Sequence, residues 1–284
     1  MRIAVTGGTG LVGRFIVEDA LARGQSVTVM GRTPPAAGFF SRPVTFLPYD
    51  LNAAPPPLDT YDALVHCAFD HLPGLYRGGE GTDPTGFLKS NLDGTIALFQ
   101  AAAEAGIHKT IFLSTRAVYG DYPEGTALDE TLEPRPNTIY GQAKHAAEQA
   151  LTAIGQGVSL RATGIYGPSG PGQTHKWTDL FANFKAGKPI QPRAATEVHG
   201  YDLAQAVQIA LDRNVLPILN VSDLTLDRHD LLAEVARMTG WTMTLPPRAA
   251  TPVSAMNTDR LRALGWRPSG KSGLRDALKQ MLAH

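Results

Sequence analysis

The stretch Ile3-Ala4-Val5-Thr6-Gly7-Gly8-Thr9-Gly10-Leu11-Val12-Gly13 decides the fold of this 284-residue chain. Its first three residues are apolar and form a short buried strand. Its glycines at positions 7, 10 and 13 make a turn into a predicted helix over residues 11–22. A glycine turn lets the backbone approach a pyrophosphate, and the helix N-terminus that follows offers free N–H groups and a partial positive charge. The alternative interpretation is a tight turn that needs glycines for its conformation alone.

Outward from this stretch, short apolar runs alternate with helical patterns as far as residue 161. The predicted strands cover residues 3–5, 26–30, 44–47, 63–67, 110–113 and 158–161, and the predicted helices cover residues 11–22, 88–105 and 137–154. Runs too short for helices, separated by helices, indicate βαβ units and a parallel sheet. We therefore expect an α/β fold, the doubly wound Rossmann sheet, over residues 1–163. This context favours dinucleotide binding at the glycine turn.

The pattern is looser after residue 163. We expect helices over residues 177–186, 228–238, 258–264 and 273–282 and a strand over residues 218–221. These segments are too interrupted to make an independent globule. Residues 164–284 are therefore expected to form mainly a smaller C-terminal substrate-binding lobe, with residues 197–221 returning to the core.

The composition argues against several classes of protein. Lys plus Arg equals Asp plus Glu at 26 each, whereas nucleic-acid and anionic-membrane partners require a basic face. No apolar run approaches the roughly 20 residues of a membrane span. The lone Cys67 excludes an internal disulfide, the eight histidines have no metal-ligand spacing, and His66 is expected to be a core histidine. We expect a soluble cytoplasmic protein that acts on a small molecule without a metal.

The end of the second predicted strand bears on the choice of cofactor. A free ribose 2′-OH is bound by an acid at this point, and a 2′-phosphate is bound by a cation. The sequence has Arg32 here and no Asp or Glu, and an Arg side chain can hold a phosphate with two hydrogen bonds. We therefore predict NADP(H) in preference to NAD(H), unless Arg32 is a solvated surface residue. Asp50 and Leu51, just past the third strand, are candidates for holding the adenine.

Tyr140 and Lys144 form the candidate catalytic pair. They lie four residues apart in a predicted helix, which Asn137 is expected to cap, so both side chains are on one face. A nearby ammonium favours the phenolate form of a tyrosine and makes it a usable acid or base near neutral pH. The alternative is an amphipathic helix with a surface lysine. Ser114 and Thr115 place hydroxyls at the carboxyl end of the fifth strand, the edge where ligands of open α/β sheets bind.

With these residues in view, the chain resembles the extended short-chain dehydrogenase/reductases, in particular the NAD-dependent epimerase/dehydratase group. The resemblance runs almost from end to end. It includes residues 6–13, Asn91-Leu92-Asp93-Gly94-Thr95, Ser114-Thr115 before Val118-Tyr119-Gly120, Tyr140 with Lys144, Leu160-Arg161, Tyr166-Gly167-Pro168, Val198-His199-Gly200-Tyr201-Asp202-Leu203-Ala204 and Gly265-Trp266 with Pro268.

The resemblance implies a role for each matching residue. Thr115 is the expected catalytic hydroxyl with Ser114 beside it, Tyr140 is the expected acid/base, and Lys144 is its partner and a ribose contact. The positions implied in cofactor binding are Gly7, Thr9, Gly10, Leu11, Gly13, Arg32, Asp50, Leu51, Ala68, Tyr140 and Lys144. The family pattern also implies a homodimer that associates through the helices predicted over residues 88–105 and 137–154.

Departures from the family pattern narrow the reaction. Family dehydratases carry an Asp-Glu pair after the catalytic hydroxyl, and this chain has Arg116 and Ala117 there, which counts against a dehydratase. Gly164 and Ala195 replace an Asn and an Arg that contact the diphosphate in members binding nucleotide sugars, so such a substrate is doubtful.

Several residues near these departures are candidates for substrate binding. Arg116 is a candidate anchor for a carboxylate or phosphate on the substrate, unless it pairs with an acid such as Glu148. The other candidates are His175 and Trp177, with Lys176 and Arg193 nearby; Trp177 as core and Lys176 as surface are the alternatives.

Three functions follow from this pattern. The first is an NADP(H)-linked oxidoreductase acting on a hydroxyl or carbonyl of a small, sugar-like substrate. The second is an epimerase, in which the cofactor is reduced transiently and then regenerated. The third is a regulator that senses the dinucleotide without turnover, which the retention of Thr115, Tyr140 and Lys144 argues against.

Overall fold

The computed structural model describes residues 1–71 and 79–283. Its strands, in chain order, are β1 (Arg2–Thr6), β2 (Ser26–Gly31), β3 (Thr45–Pro48), β4 (Ala63–His66), β5 (Lys109–Thr115), β6 (Gly157–Ala162), β7 (Gly164–Tyr166), β8 (Ala194–His199), β9 (Ile218–Val221) and β10 (Leu224–Asp227). Its helices are α1 (Gly13–Ala22), α2 (Pro84–Leu88), α3 (Gly94–Glu104), α4 (Ile139–Ile154), α5 (Thr178–Lys185), α6 (Gly200–Asp212), α7 (Arg228–Thr239), α8 (Asp259–Ala263) and α9 (Gly270–Leu282).

In the described part of the chain, seven strands form a parallel sheet in the order β3-β2-β1-β4-β5-β6-β9. Val5 of β1 is aligned with Val29 of β2 and with Val65 of β4, and all three side chains are buried. The strand order reverses between β1 and β4, and the crevice at such a reversal is where open α/β sheets bind ligands. The predicted Rossmann fold is confirmed, and each predicted strand lies within two residues of its predicted ends.

A second sheet of three strands, in the order β10-β8-β7, was not predicted. β7 runs parallel to β8 with Tyr166 opposite His199, whereas β10 is antiparallel to β8. β7 and β10 are three and four residues long, and β8 carries Thr196 and Glu197 in its middle, so none of them shows the apolar run that predicted the strands of the large sheet. The sheet joins the smaller lobe to the carboxyl end of β6.

The apolar side chains of the described residues form five clusters, of which the two largest are a main core and a core in the lobe. The main core packs α1 and α6 against the large sheet and includes Phe15, Val207 and Leu219. Trp266, from the loop after α8, is also fully buried there. The lobe core joins α5, α7 and α9 through Trp177, Phe181, Phe184, Leu231, Leu232, Val235, Leu274 and Leu278. The division of function between residues 1–163 and 164–284 remains a prediction.

The predicted helix over residues 88–105 is divided. α2 ends at Leu88, a π-helical turn covers Lys89–Asp93, and α3 starts at Gly94. The turn follows from Asn91, whose buried amide donates to the carbonyls of Asp70 (2.7 Å) and Phe87 (3.0 Å) and accepts from the backbone N–H of Asp70 (2.7 Å). These hydrogen bonds tie the Asn91 side chain to the loop at Asp70, and the helix is locally wider at this turn.

The predicted cap of α4 is wrong by one residue. The Thr138 hydroxyl accepts from the backbone N–H of Gly141 (3.1 Å), whereas the Asn137 amide donates to Asp121. Threonine and asparagine are both good N-caps, and the chain enters the helix one residue later than its polar pattern indicates. No helix among the described residues is both long and apolar enough to cross a bilayer.

Candidate active site

The glycine turn is shaped so that no side chain intrudes on it. Gly7 has a φ of 65°, and a Cβ there would lie 2.8 Å from the backbone of Ala68. A Cβ at Gly13 would lie 2.3 Å from the carbonyl oxygen of Gly7, which accepts a hydrogen bond from Gly10 (3.0 Å). Within the described chain no side chain caps α1, and the turn at Thr9 and Leu11 leads directly into its N-terminus, where Arg14 donates to the carbonyl of Gly10 (3.1 Å). This cradle fits a pyrophosphate.

An open groove of about 360 Å³ lies beside the ends of β2 and β3 and is lined by Arg32, Tyr49 and Asp50, among others. Arg32 is exposed and forms an ion pair with Asp70 at 3.4 Å. Asp50 accepts from the backbone of Asn52 (2.8 Å), and Leu51 is buried behind the groove. The structure therefore brings Arg32 and Asp50 to one groove beyond the glycine turn.

The hydroxyls predicted at the end of β5 have different partners. Thr115 is aligned with Ala162 of β6, and its side chain accepts from the backbone N–H of Ala117 (3.1 Å) at the start of a 3-10 turn. The Ser114 hydroxyl is buried and donates to Glu148 at 2.5 Å. The Ser114 hydroxyl is therefore held by Glu148, whereas the Thr115 hydroxyl caps the 3-10 turn at the end of the strand.

Tyr140 and Lys144 share one aromatic neighbour, Phe69. The rings of Tyr140 and Phe69 meet edge to face at 5.0 Å, and the Lys144 Nζ lies 4.6 Å from the Phe69 centroid. Lys144 is buried, lies 4.5 Å from the Phe112 ring, and donates to the carbonyl of Leu113 at 2.8 Å. The hydrogen bond to Leu113 holds the ammonium beside β5, at a residue that precedes Thr115 by two positions in the chain.

Burial sets the protonation of Lys144. Removal from water lowers its pKa to about 7, and the charge of Glu148 opposes that change. Burial raises the pKa of the neighbouring Cys67 thiol to about 12, so the thiol is neutral near pH 7 and offers Lys144 no charge there. Lys144 is therefore an ammonium whose charge is easily lost, unlike a surface lysine.

A buried ion pair supports this end of the sheet. Glu148 and Arg161 meet at 2.8 Å with both side chains less than 5% exposed. Burial alone raises the pKa of Glu148, but hydrogen bonds from His145, Arg161 and Ser114 and the Arg161 charge lower it below its ordinary value. Glu148 is thus a carboxylate that fixes Ser114 and, through it, the strand end before Thr115.

Arg116 lies beside the candidate catalytic hydroxyl. Its guanidinium donates to the carbonyl of Ser254 at 3.0 Å. Glu148, the acid considered as its alternative partner, is ion-paired with Arg161. The bond to Ser254 ties the 3-10 turn after β5 to the loop that precedes α8.

The lobe holds the remaining predicted substrate residues. Trp177 is buried and stacks on Tyr166 with ring centroids 5.2 Å apart. This burial agrees with the alternative interpretation of Trp177 as a core residue. The half-buried His175 accepts from the backbone N–H of Trp177 at 3.2 Å, and burial lowers its pKa. The structure thus places both residues at the start of α5, packed within the lobe.

A cavity of about 410 Å³ lies in the lobe between α5, β8 and β10. Its lining includes Arg193, Arg228 and the ion pair of Lys176 with Glu197. A Cβ at Gly164 would lie 2.4 Å from the Lys176 Nζ and 2.5 Å from a Glu197 carboxylate oxygen. The pair therefore fills the space that a side chain at position 164 would need, and Lys176, taken as a surface residue in the alternative interpretation, is exposed but ion-paired there.

Two residues of the site were missed by sequence reasoning. Phe69 joins the catalytic pair, and Asn91 holds the backbone at Asp70 beside Arg32. Asn91 lies within the stretch quoted for the family resemblance, so a signal was present. Phe69 lies three residues after the end of β4, and the local sequence gives no sign of its position.

His66 is the core histidine that its strand position indicates. It is fully buried between the hydroxyls of Thr6 (2.6 Å) and Thr95 (2.9 Å). Burial and the charge of Lys144 lower its pKa to about 3. Within residues 1–71 and 79–283, no group of three His, Cys, Asp or Glu side chains could hold a metal ion.

Comparison with known proteins bears on the identity of the chain. The model of the NAD dependent epimerase/dehydratase family matches residues 3–221. A UDP-glucose 4-epimerase of Rhizobium leguminosarum bv. trifolii is 42% identical over 93 residues, which are 32% of this chain and 28% of the relative. A dTDP-6-deoxy-L-talose 4-dehydrogenase (NAD(P)(+)) of Kitasatospora kifunensis is 28% identical over 99% of this chain and 94% of its own length.

A solved structure agrees with the fold. The UDP-glucose 4-epimerase of Thermus thermophilus, in complex with NAD, superposes with a TM-score of 0.80 at 29% identity, covering 99% of both chains. The match thus spans less than a third of the Rhizobium relative but nearly all of the Kitasatospora and Thermus proteins. The family resemblance deduced from the motifs is confirmed.

Proposed function

The chain belongs to the NAD dependent epimerase/dehydratase family and is an NAD(P)-dependent enzyme of this type, and from this premise we propose that it is an oxidoreductase for a small, sugar-like substrate. The enzyme prefers NADP(H) and acts on a hydroxyl or carbonyl group. The observation that carries the proposal is the arrangement of Tyr140 and Lys144 around Phe69, beside the strand end that bears Thr115.

The chain's own residues divide the work between binding and proton transfer. The turn at Gly7 and Gly13, whose close packing admits no Cβ at either position, leads into the N-terminus of α1 and is the segment that would hold the pyrophosphate. When bound, the nicotinamide supplies or accepts the hydride. Tyr140 moves a proton to or from the reacting oxygen, which the Thr115 hydroxyl orients by a hydrogen bond. Lys144 in its charged form favours the phenolate and contacts the ribose.

Two observations favour net oxidation or reduction over other chemistry. Arg116 and Ala117 offer no acid to eliminate water, which counts against a dehydratase. The relative that aligns over nearly both full lengths is a dehydrogenase. An epimerase is the second candidate because the Thermus neighbour is a UDP-glucose 4-epimerase. A regulator without turnover is the third, and the clustering of Thr115, Tyr140 and Lys144 disfavours it.

The preference for NADP(H) depends on Arg32. Its partner Asp70 is 45% exposed in the side chain and Arg32 is 69% exposed, so their ion pair contributes little and a phosphate can compete for the guanidinium. Arg32→Ala should weaken NADPH binding by about tenfold or more while NADH binding changes little. Arg42→Ala, which removes an Arg outside the groove, is the matched control.

The first experiment is a fluorescence titration of the protein with NADPH and with NADH. Tighter binding of NADPH supports the assignment of Arg32, and a preference for NADH would leave the enzyme but refute that assignment. A screen of small hydroxy and keto compounds then follows absorbance at 340 nm. Net change on turnover supports an oxidoreductase, whereas product without net change would identify an epimerase. Binding of neither nucleotide would overturn the proposal.

The enzyme is also proposed to be a homodimer, which the family resemblance implies. The partner would pack on α3 and α4, forming a contact of four helices. Sedimentation equilibrium at micromolar concentration should give twice the chain mass. A monomer at that concentration would refute the dimer and leave the assignment of the active site unchanged.

A further inference from the structure

Residues 167–173, here called the strap, link the lobe to the glycine turn. The Gln173 amide donates to the carbonyl oxygen of Thr9 at 2.8 Å. From the opposite direction, the Arg14 guanidinium donates to the carbonyl oxygen of Pro168. The strap is therefore fastened at both ends to the segment that receives the pyrophosphate in the proposed function.

The fit between the strap and α1 is close. A Cβ at Gly170 would lie 2.7 Å from the Arg14 Cδ and 2.8 Å from the Gln173 Oε1. A Cβ at Gly167 would lie 2.5 Å from the Phe15 ring, and a Cβ at Gly200 would come at least as close to the other edge of that ring. The glycines of the strap thus let it lie directly on the first turn of α1.

The two fastenings differ in burial. Arg14 is 7% exposed, and its guanidinium lies 4.2 Å from the centre of the Phe15 ring. Gln173 is exposed, and its bond to Thr9 is open to competition from water. The Gln173 end of the strap is therefore the end that opens at lower cost, while the Arg14 end stays attached.

We propose that the strap gates the dinucleotide site: it closes over the glycine turn and must release Thr9 before a cofactor can enter or leave. The gate rests on the proposed function, because it presumes that a dinucleotide binds at this turn. An oxidoreductase must exchange its cofactor at each turnover, since the cofactor leaves in the other redox state. The rate at which the strap opens then sets an upper limit on turnover, whereas an epimerase has no such requirement.

The test measures both rate constants for NADPH by stopped-flow fluorescence, in the parent protein and in two variants. Gln173→Ala removes the donor to Thr9, and Gly170→Ala places a Cβ 2.8 Å from the Gln173 Oε1, which displaces that amide from Thr9 without removing any donor. Gln173→Ala should raise the association and dissociation rate constants together by about fivefold, the effect of one lost hydrogen bond, and leave Kd within about twofold. Gly170→Ala should shift both rate constants in the same direction. Gln205→Ala, an exposed glutamine on α6, should change neither rate constant.

The outcomes separate the gate from its premise. A rise in dissociation alone, with a matching rise in Kd, would mean that the strap contacts the cofactor directly and would overturn the gate. Unchanged rate constants in both variants would overturn it as well, while tight binding by the parent would leave the proposed function standing. If the parent binds neither NADPH nor NADH, both proposals fail together.

Discussion

Lys144 combines deep burial with a backbone anchor. The rings of Phe69 and Phe112 exclude water from the ammonium, and the carbonyl of Leu113 holds it in place. Burial lowers the pKa of Lys144 to about 7, so this ammonium loses its proton far more readily than a surface lysine does. A Tyr140 phenolate or the ribose of a bound cofactor would favour its charged form.

Tyr140→Phe tests the proton-transfer role of Tyr140. The phenyl ring keeps the contact with Phe69, so NADPH should bind with unchanged affinity in the fluorescence titration. Turnover of the substrate found by the screen should fall by about 10²–10⁴-fold, because the proton donor or acceptor is lost. Turnover equal to that of the parent would refute the mechanism, whereas loss of NADPH binding would show that the substitution disturbed the site itself.

His66 makes the fold sensitive to acid. Its pKa is about 3 when folded and 6.5 when exposed, so below pH 6.5 the unfolded chain takes up a proton that the folded chain cannot. Stability should therefore fall as the pH drops from 6.5 toward 3, with about 3 kcal/mol lost by pH 4.5 from this residue.

Urea unfolding at several pH values checks this. His66→Gln should be less stable than the parent at pH 7.5 but lose less stability between pH 6.5 and 4.5. His108→Gln, which changes an exposed histidine, should follow the parent at every pH. Parallel pH profiles for the parent and His66→Gln would show that His66 is not the acid-sensitive group.

The sequence predicted the candidate catalytic and binding side chains better than it predicted the residues that contact them. The spacing of Tyr140 and Lys144 on one helix face follows from helical geometry alone. The burial of Lys144 depends on Phe69, which is 75 positions away along the chain and meets it through tertiary packing. The same limit applies to Arg116, whose bond to Ser254 joins segments 138 positions apart.

Among the elements, α3 lies unusually close to the chain that follows β3. A Cβ at Gly94 would lie 2.0 Å from the carbonyl oxygen of Leu51. Replacing a helical glycine by alanine ordinarily stabilises a helix by about 1 kcal/mol. Here the collision with backbone reverses the sign, because neither α3 nor the loop at Leu51 can shift without disturbing the core.

Gly94→Ala should therefore destabilise the protein by about 1–3 kcal/mol and lower Tm by several degrees. Gly31→Ala is the control, since a Cβ at Gly31 meets no atom within 4 Å and its φ is not positive. Calorimetry compares the two variants with the parent. An unchanged or higher Tm for Gly94→Ala would mean that α3 moves away from Leu51 without cost.

Among the helices and strands, those with clear apolar patterns were predicted best. The strands of the large sheet were located because each is a short, mainly apolar run between turns. The division of the helix over residues 88–105 was not predicted, because it depends on hydrogen bonds from Asn91 to Asp70 in another segment. The strands β7, β8 and β10 were missed because β7 and β10 are very short and β8 carries Thr196 and Glu197 in its middle.

Across the whole molecule, the last 63 residues complete cores that begin elsewhere, although the family model ends at residue 221. Trp266 is fully buried in the main core and donates from its indole to the carbonyl of Asp202 at 2.8 Å. Leu274 and Leu278 of α9 fill the lobe core. The C-terminal segment therefore holds the lobe against the large sheet.

Trp266→Ala should cost about 3–5 kcal/mol of the free energy of unfolding, because it leaves a large cavity and removes the indole hydrogen bond to Asp202. Trp241→Ala changes a half-buried tryptophan at the edge of the lobe and should cost clearly less. Denaturant titration of both variants gives the comparison. Equal losses would indicate that Trp266 does not join the two parts of the molecule.

The contact of Gly164 with the Lys176–Glu197 pair constrains how this sequence can change over evolutionary time. A Cβ at position 164 would lie 2.4 Å from the Lys176 Nζ and 2.5 Å from a Glu197 oxygen, so a larger residue is accepted there only when one charged end turns away. Both ends are flexible, so the cost of such a substitution is the loss of their ion pair. In directed evolution of the lobe cavity, substitutions at position 164 are therefore expected to be accompanied by changes at positions 176 and 197.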